Sequence, residues 1–166
     1  MEFEDLLQGL AKKLNCGSLT ADESGSVSLL VDEMPVTIIN LDELKSVAFA
    51  GEIGEPPPED RIERLYRALL VANHNFTGTG GATLSIDNET GRVMLCRIMP
   101  IAAIDPDEFF TNVESFVNTL ETWRRIVTEF SGAASAEFED GAQPSAEGGE
   151  DAPPPNPLMG GSFMQV

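Results

Sequence analysis

The chain has 166 residues, with 28 Asp and Glu against 10 Lys and Arg, a net charge of −18 and a pI near 4.1. So acidic a protein lacks the basic face that nucleic acid demands, and an anionic bilayer would repel it. The apolar fraction of 42% suits a globular domain, but no apolar run reaches the ~18 residues of a spanning helix, so no membrane insertion is expected. The acidic start Met1-Glu2-Phe3-Glu4-Asp5 lacks the basic and apolar regions of a signal peptide. Cys16 and Cys96 form no disulfide framework and have no metal-ligand spacing, so they read as reduced thiols of a cytoplasmic protein.

In chain order, residues 2–14 predict a helix, because Phe3, Leu6, Leu7, Leu10 and Leu14 recur at three- and four-residue spacing. Asn15-Cys16-Gly17 ends it, with Gly17 suited to a left-handed cap. Three strand-like runs follow, Val27–Val31, Val36–Leu41 and Val47–Ile53, the first two joined by Asp32-Glu33-Met34-Pro35 as a turn. Pro56-Pro57-Pro58 then opens a helix over about residues 58–74, with Glu59 and Asp60 in the first turn, where the helix dipole favours acids. Its stripe is Ile62, Leu65, Leu69 and Ala72. Tyr66, Ala68, Leu70 and Val71 fall outside that stripe, which predicts a second contact for this helix, most simply with a two-fold mate.

Asn75–Gly81 predicts a Gly-rich loop. Ala82–Ile86 and Arg92–Met99 predict a hairpin around Asp87-Asn88-Glu89-Thr90-Gly91, with Gly91 at a positive-φ position. The last helix is the best specified. Asp105 is its N-cap, Pro106 its first residue and Glu108 the third residue after the cap; Phe109, Val113, Phe116, Leu120, Trp123, Val127 and Phe130 mark one face. The class is α+β: a mainly antiparallel five-stranded sheet with three helices in the order α-β-β-β-α-β-β-α.

Composition changes at Ser131. The last 36 residues hold six Gly, five Pro and six acids but no base, and such a segment cannot bury enough apolar surface to offset its ordering entropy. The expected organisation is a domain over residues 1–130 and a disordered acidic Gly/Pro-rich tail over 131–166. The domain alone keeps 22 acidic and 10 basic residues, a net charge of −12.

Motifs for chemistry are weak. Thr77-Gly78-Thr79-Gly80-Gly81 lacks the Lys and the strand-to-helix order of a phosphate loop and reads as a helix-to-strand turn. Asp87–Gly91 fails the spacing of a calcium loop and reads as a hairpin turn. His74 is the only histidine, and no Ser or Cys stands in a nucleophile motif. The carboxylates lack an acid–base spacing and read as solvated faces. No enzyme, cofactor or metal is expected. The stripe Phe3-Leu7-Leu10-Leu14 covers its own sheet, or leaves a groove for an apolar segment of a partner.

Taken together, Leu70-Val71-Ala72-Asn73, then Gly80-Gly81-Ala82-Thr83-Leu84-Ser85-Ile86, then Thr90-Gly91-Arg92-Val93-Met94-Leu95, and finally Phe109-Phe110 to Trp123-Arg124 resemble the Tir chaperone family, the class I type III secretion chaperones of bacteria. The resemblance covers about residues 1–130. It implies an acidic cytoplasmic homodimer without enzymatic activity, which serves in virulence by holding the N-terminal region of a secreted effector in extended form before export. On that resemblance Phe3, Leu6, Leu10, Leu14, Val27, Leu29, Val36 and Ile38 are the expected effector patch. Leu65, Tyr66, Leu69, Leu70, Asn73, Leu84 and Leu95 are the expected dimer contact. The alternative is an acidic interaction or regulatory protein of the same fold with no part in secretion. The 36 tail residues depart from the family pattern. Leu158, Met159, Phe163 and Met164, which follow the acidic spacer, read as a tethered docking motif for the export machinery or for the chaperone's own groove, or else as part of an inert solubilising tail.

Overall fold

A computed structural model describes residues 2–136. Helix α1 spans Phe3–Leu14, β1 Ser26–Val31, β2 Met34–Leu41, β3 Ser46–Gly54, α2 Glu59–Asn73, β4 Thr83–Ile86, β5 Val93–Pro100 and α3 Pro106–Ala136, with single 3-10 turns at 42–44, 74–76 and 101–103. The predicted order of helices and strands holds. The five strands form one antiparallel sheet in the order β1-β2-β3-β5-β4, which puts β1 and β4 at its two edges.

Local chemistry sets the ends of the elements. The Glu2 N–H donates to the Asp5 carboxylate at 3.2 Å at the start of α1, and Lys12 and Lys13 sit in its last turn, where the dipole favours cations. Its left-handed C-cap is Asn15, φ 53°, rather than Gly17, because the side chains stop repeating one turn earlier than the glycine. The β1–β2 turn is shorter than expected. Asp32 and Glu33 alone make it, both at positive φ (48° and 63°), the shape whose twist matches a hairpin, so Met34 and Pro35 belong to β2. At the start of α3 the Glu108 N–H donates to Asp105 Oδ1 at 2.8 Å, as the Asp-Pro-x-Glu pattern predicts. This helix runs on to Ala136, six residues past the change in composition at Ser131. Ala133, Ala134 and Ala136 are strong helix formers, and the Ser131 hydroxyl bonds back to the Val127 carbonyl at 3.2 Å.

One core lies between the sheet and the helices. Val36, Ile38, Val47, Phe49, Val93 and Leu95 supply the sheet side; Phe109, Phe116, Leu120 and Trp123 supply α3; Phe3, Leu6, Leu7 and Leu10 supply α1. The Phe49 ring stands 5.6 Å from the rings of both Phe109 and Phe116. Two glycines let α3 approach closely. A Cβ at Gly51 would lie 2.6 Å from a Leu120 methyl, and one at Gly9 would lie 2.5 Å from the Pro106 ring. The Trp123 indole N–H reaches the Gly78 carbonyl at 2.9 Å and ties the Gly-rich loop to α3.

The other face of the sheet is open to solvent. Cross-strand rows of Ile39, Ala48 and Ile98, and of Thr37, Ala50 and Cys96, run across it, and Leu30 and Ile98 are exposed. Glu52, paired with Arg92, is the one charged residue that the described strands point to this side. In a chain of net charge −18 that depletion stands out.

Candidate binding surfaces

Most of the expected effector patch is core. Leu6, Leu10, Val36 and Ile38 are fully buried, Phe3 and Val27 nearly so, Leu29 is half-buried, and only Leu14 is exposed, at 37%. The periodicity identifies these residues correctly as two apolar stripes, one on α1 and one on the sheet. The stripes are buried in a single shared core, so within one protomer neither is free for a client.

The expected dimer contact divides in the same way. Leu65, Leu69, Leu84 and Leu95 are buried, Tyr66 and Asn73 are half-buried, and Leu70 is 70% exposed. Beside Leu70 stand two further exposed apolar side chains outside the expected contact, Val71 (59% exposed) and Phe76 (54% exposed). Val71 follows Leu70 on the outward side of α2, and Phe76 lies just beyond the end of the helix, at φ 56°. The apolar positions outside the buried stripe were the available signal, and they mark this face.

The two sheet edges differ. Asn73, the last residue of α2, lays its amide along β4: Nδ2 donates to the Leu84 carbonyl at 3.0 Å, and the Leu84 N–H donates to Oδ1 at 2.9 Å. One side chain thus makes both bonds that a neighbouring strand would make. The Ala82 N–H is taken by the Thr79 carbonyl at 3.0 Å. The four-residue edge strand β4 is therefore closed at Leu84, and the same parity leaves only Ile86, its last residue, facing outward.

At the β1 edge the Asn40 N–H donates to the Gly25 carbonyl at 2.9 Å. Carried along the register, that parity turns the backbone groups of Ser26, Ser28 and Leu30 away from β2. Asp22 closes the first of these: its carboxylate accepts the Ser26 N–H at 3.0 Å, and its own N–H donates to the Ser26 carbonyl at 2.9 Å. The Ser24 hydroxyl, at 2.6 Å, and then the Ser26 N–H hold the Asp22 carboxyl below the ordinary aspartate range. Ser28 and Leu30 keep outward N–H and C=O groups. Around them stand Leu30, 74% exposed, and the half-buried Leu29 and Val31. Leu30 was not among the expected patch residues, although Ser28 marks its parity as the outward one.

A polar groove of about 520 Å³ separates residues 77–80 from the Thr111, Ser115, Asn118 and Thr122 side of α3. No histidine or cysteine lines it, and His74 is exposed, with its ring 3.3 Å from the Asn75 amide. Among the described residues no cluster of His, Cys, Asp and Glu could hold a metal ion, and no helix is long and apolar enough to cross a membrane. The tail residues Leu158, Met159, Phe163 and Met164 lie outside the described residues.

Comparison with known proteins gives one family. Residues 5–124 match the profile of the Tir chaperone protein (CesT) family. A Chlamydia pneumoniae protein, CPj0713/CpB0740, is 28% identical over 122 residues, which is 73% of this chain and 92% of that protein. Among solved structures, the ExsC–ExsE complex holds a chain similar to this one, with a TM-score of 0.66 and 24% identity over 76% of this chain and 97% of that one. The HopA1–SchA chaperone–effector complex gives a TM-score of 0.60 and 18% identity over 76% of this chain and 93% of that one. At these identities the structures establish the shared fold. The profile covers most of the chain, with all five strands, α2 and the larger part of α1 and α3, and on that ground the chain belongs to the Tir chaperone (CesT) family.

Proposed function

We propose that this protein is a binding chaperone of type III secretion, which holds the N-terminal segment of a secreted effector as extended chain until export. It acts without catalysis, in the bacterial cytoplasm. The observation that carries the reading is the open β1 edge at Ser28 and Leu30, set in a sheet whose other edge Asn73 closes at Leu84. An extended segment entering at β1 gains backbone hydrogen bonds there. Its alternate side chains then meet Leu29 and Val31 on one side and Leu30 and the charge-poor sheet face on the other. A groove of this kind invites self-association, and the net charge of −18 opposes it. In this reading Leu14 and Leu29 remain in the effector patch and Leu30 joins them. The buried members Phe3, Leu6, Leu10, Val27, Val36 and Ile38 build the surface from beneath.

The protomer pairs with a second copy through the outward face of α2, where Leu70, Val71 and Phe76 leave apolar surface exposed. Handover to the export machinery belongs to the same proposal.

The test is capture of the tagged protein from its host's lysate, followed by limited proteolysis and mass spectrometry. The expected result is one or a few larger proteins protected within their first ~100 residues as non-globular chain, in keeping with a large surface of modest contacts. Partners held through folded domains, or none at all, would refute secretion chaperoning and leave a regulatory protein of the same fold.

A further inference from the structure

We infer that the protein's own segment Pro157–Val166 occupies the β1 edge when no client is bound. The inference uses the same open edge as the proposal above, but it does not depend on secretion. Four observations support this occupant.

The first is position. Glu121, Arg124, Arg125, Thr128 and Glu129 of α3 flank the β1–β2 turn at Asp32–Met34, so the helix leaves the domain at the open end of β1. Ala136, the last residue of α3, lies about 12 Å beyond Thr128 along the axis.

The second is reach. Residues 137–156 give 20 residues of spacer, whose contour length is at most about 70 Å. That reach exceeds several-fold the radius of gyration of about 14 Å expected for a domain of this size.

The third is charge. The spacer carries Glu137, Glu139, Asp140, Glu147, Glu150 and Asp151, while Pro157–Val166 carries no charge. The acidic domain repels the spacer. The last ten residues can approach the sheet face, where Glu52 is the only charged side chain from the strands and pairs with Arg92, which also holds Glu55.

The fourth is backbone chemistry. Prolines 153–155 precede the segment, Pro157 opens it and none falls within 158–166, so every amide from Leu158 onward can donate to a ladder. In extended form Ser162–Val166 sends Phe163 to one side and Met164 and Val166 to the other. Leu29 and Val31 border the edge on one side and Leu30 on the other, so each side chain finds an apolar neighbour.

The occupancy follows from the tether. A ten-residue peptide with a Kd of about 0.1 mM, held at an effective concentration of about 1 mM, fills the edge roughly nine-tenths of the time. This fills the edge but leaves it open to displacement by a longer client.

The test is amide hydrogen exchange on the full-length chain and on the full-length double variant Phe163→Asp, Met164→Asp. The Ser28 and Leu30 amides should exchange about tenfold more slowly in the unaltered chain, at a rate independent of protein concentration. The interior strands β3 and β5 should not change. Synthetic peptide Pro157–Val166, added at millimolar concentration to the double variant, should restore the protection. Equal exchange rates in the two chains would overturn the inference. So would protection that disappears on dilution, since the segment would then come from another molecule. None of these outcomes decides whether the client is a secreted effector, and the capture experiment does not decide who occupies the empty edge.

Discussion

Asn73 is the residue whose replacement tests the edge argument most directly. Asn73→Ala removes both bonds to Leu84, of 3.0 and 2.9 Å, and leaves the Leu84 N–H and C=O at an unprotected edge. Each such bond is worth about 1 kcal/mol net, so the pair contributes about 2 kcal/mol. Alanine regains about 0.5 kcal/mol of helix propensity, which leaves a loss near 1.5 kcal/mol. For a domain of this size that lowers Tm by about 6 °C. Urea unfolding at fixed protein concentration measures the loss, and exchange at the Leu84 amide localises it. Asn73→Asp sharpens the test. It keeps an acceptor for the Leu84 N–H but sets a carboxylate against the Leu84 carbonyl. At neutral pH it should be no more stable than alanine. Its carboxyl is raised in the folded state, because only the protonated form can donate to that carbonyl. The folded state then binds more protons than the unfolded one, so the stability of this variant relative to Asn73→Ala should improve as the pH falls toward the raised pKa. A loss below about 0.5 kcal/mol in the alanine variant, with unchanged exchange at Leu84, would refute the claim that this amide serves as a strand.

Gly51→Ala should cost about 1–3 kcal/mol in urea unfolding, because its Cβ would stand 2.6 Å from a Leu120 methyl in the packed core. Leu70→Asp should leave the protomer's stability within about 0.5 kcal/mol of the parent, since Leu70 is 70% exposed, yet yield monomers by light scattering at micromolar concentration. Leu69→Asp should instead unfold the chain, because it buries a charge in the core. Asp22 and Asp87 should titrate below an ordinary aspartate by carboxyl NMR. The Ser24 hydroxyl is the main cause for Asp22, and the Glu89 N–H for Asp87. Both carboxyls are depressed in the fold, so their contribution is complete above the unfolded pKa and lost as the pH falls through the folded one, where exchange at Ser26 and Glu89 should rise first.

The elements were legible because each writes a local signal. Alternation around Thr83-Leu84-Ser85-Ile86, the Asp105–Glu108 cap and the seven-residue face from Phe109 to Phe130 all read through directly, and six of those seven side chains are buried. The surfaces were less legible. Periodicity says that Phe3, Leu6 and Leu10 share a face with one another, and that Val36 and Ile38 do; it does not say that the two faces share one core. Leu30 differs from Leu29 only in parity, and parity acquires a meaning only once the sheet has a covered side. Asn73 carried no local signal for its role. Its partner, Leu84, is eleven residues away, beyond a loop, and the pairing exists only after α2 lies along β4. The end of α3 was missed for a different reason: alanines read as low complexity in a Gly/Pro-rich stretch, yet they extend a helix that the core has already nucleated.

The difference between the two edges bears on how copies of the protein can assemble. Linear growth through sheet edges needs units that can join at both ends, as step-growth polymerisation needs bifunctional reagents. Asn73 caps Leu84 and leaves β4 the single outward position Ile86, too short for a ladder, whereas β1 is open at Ser28 and Leu30, so each protomer behaves as a monofunctional unit. Two such units joined edge to edge use up both reactive ends, so edge pairing alone stops at two. A chain with one open sheet edge can therefore stay at high concentration without becoming the seed of a fibre.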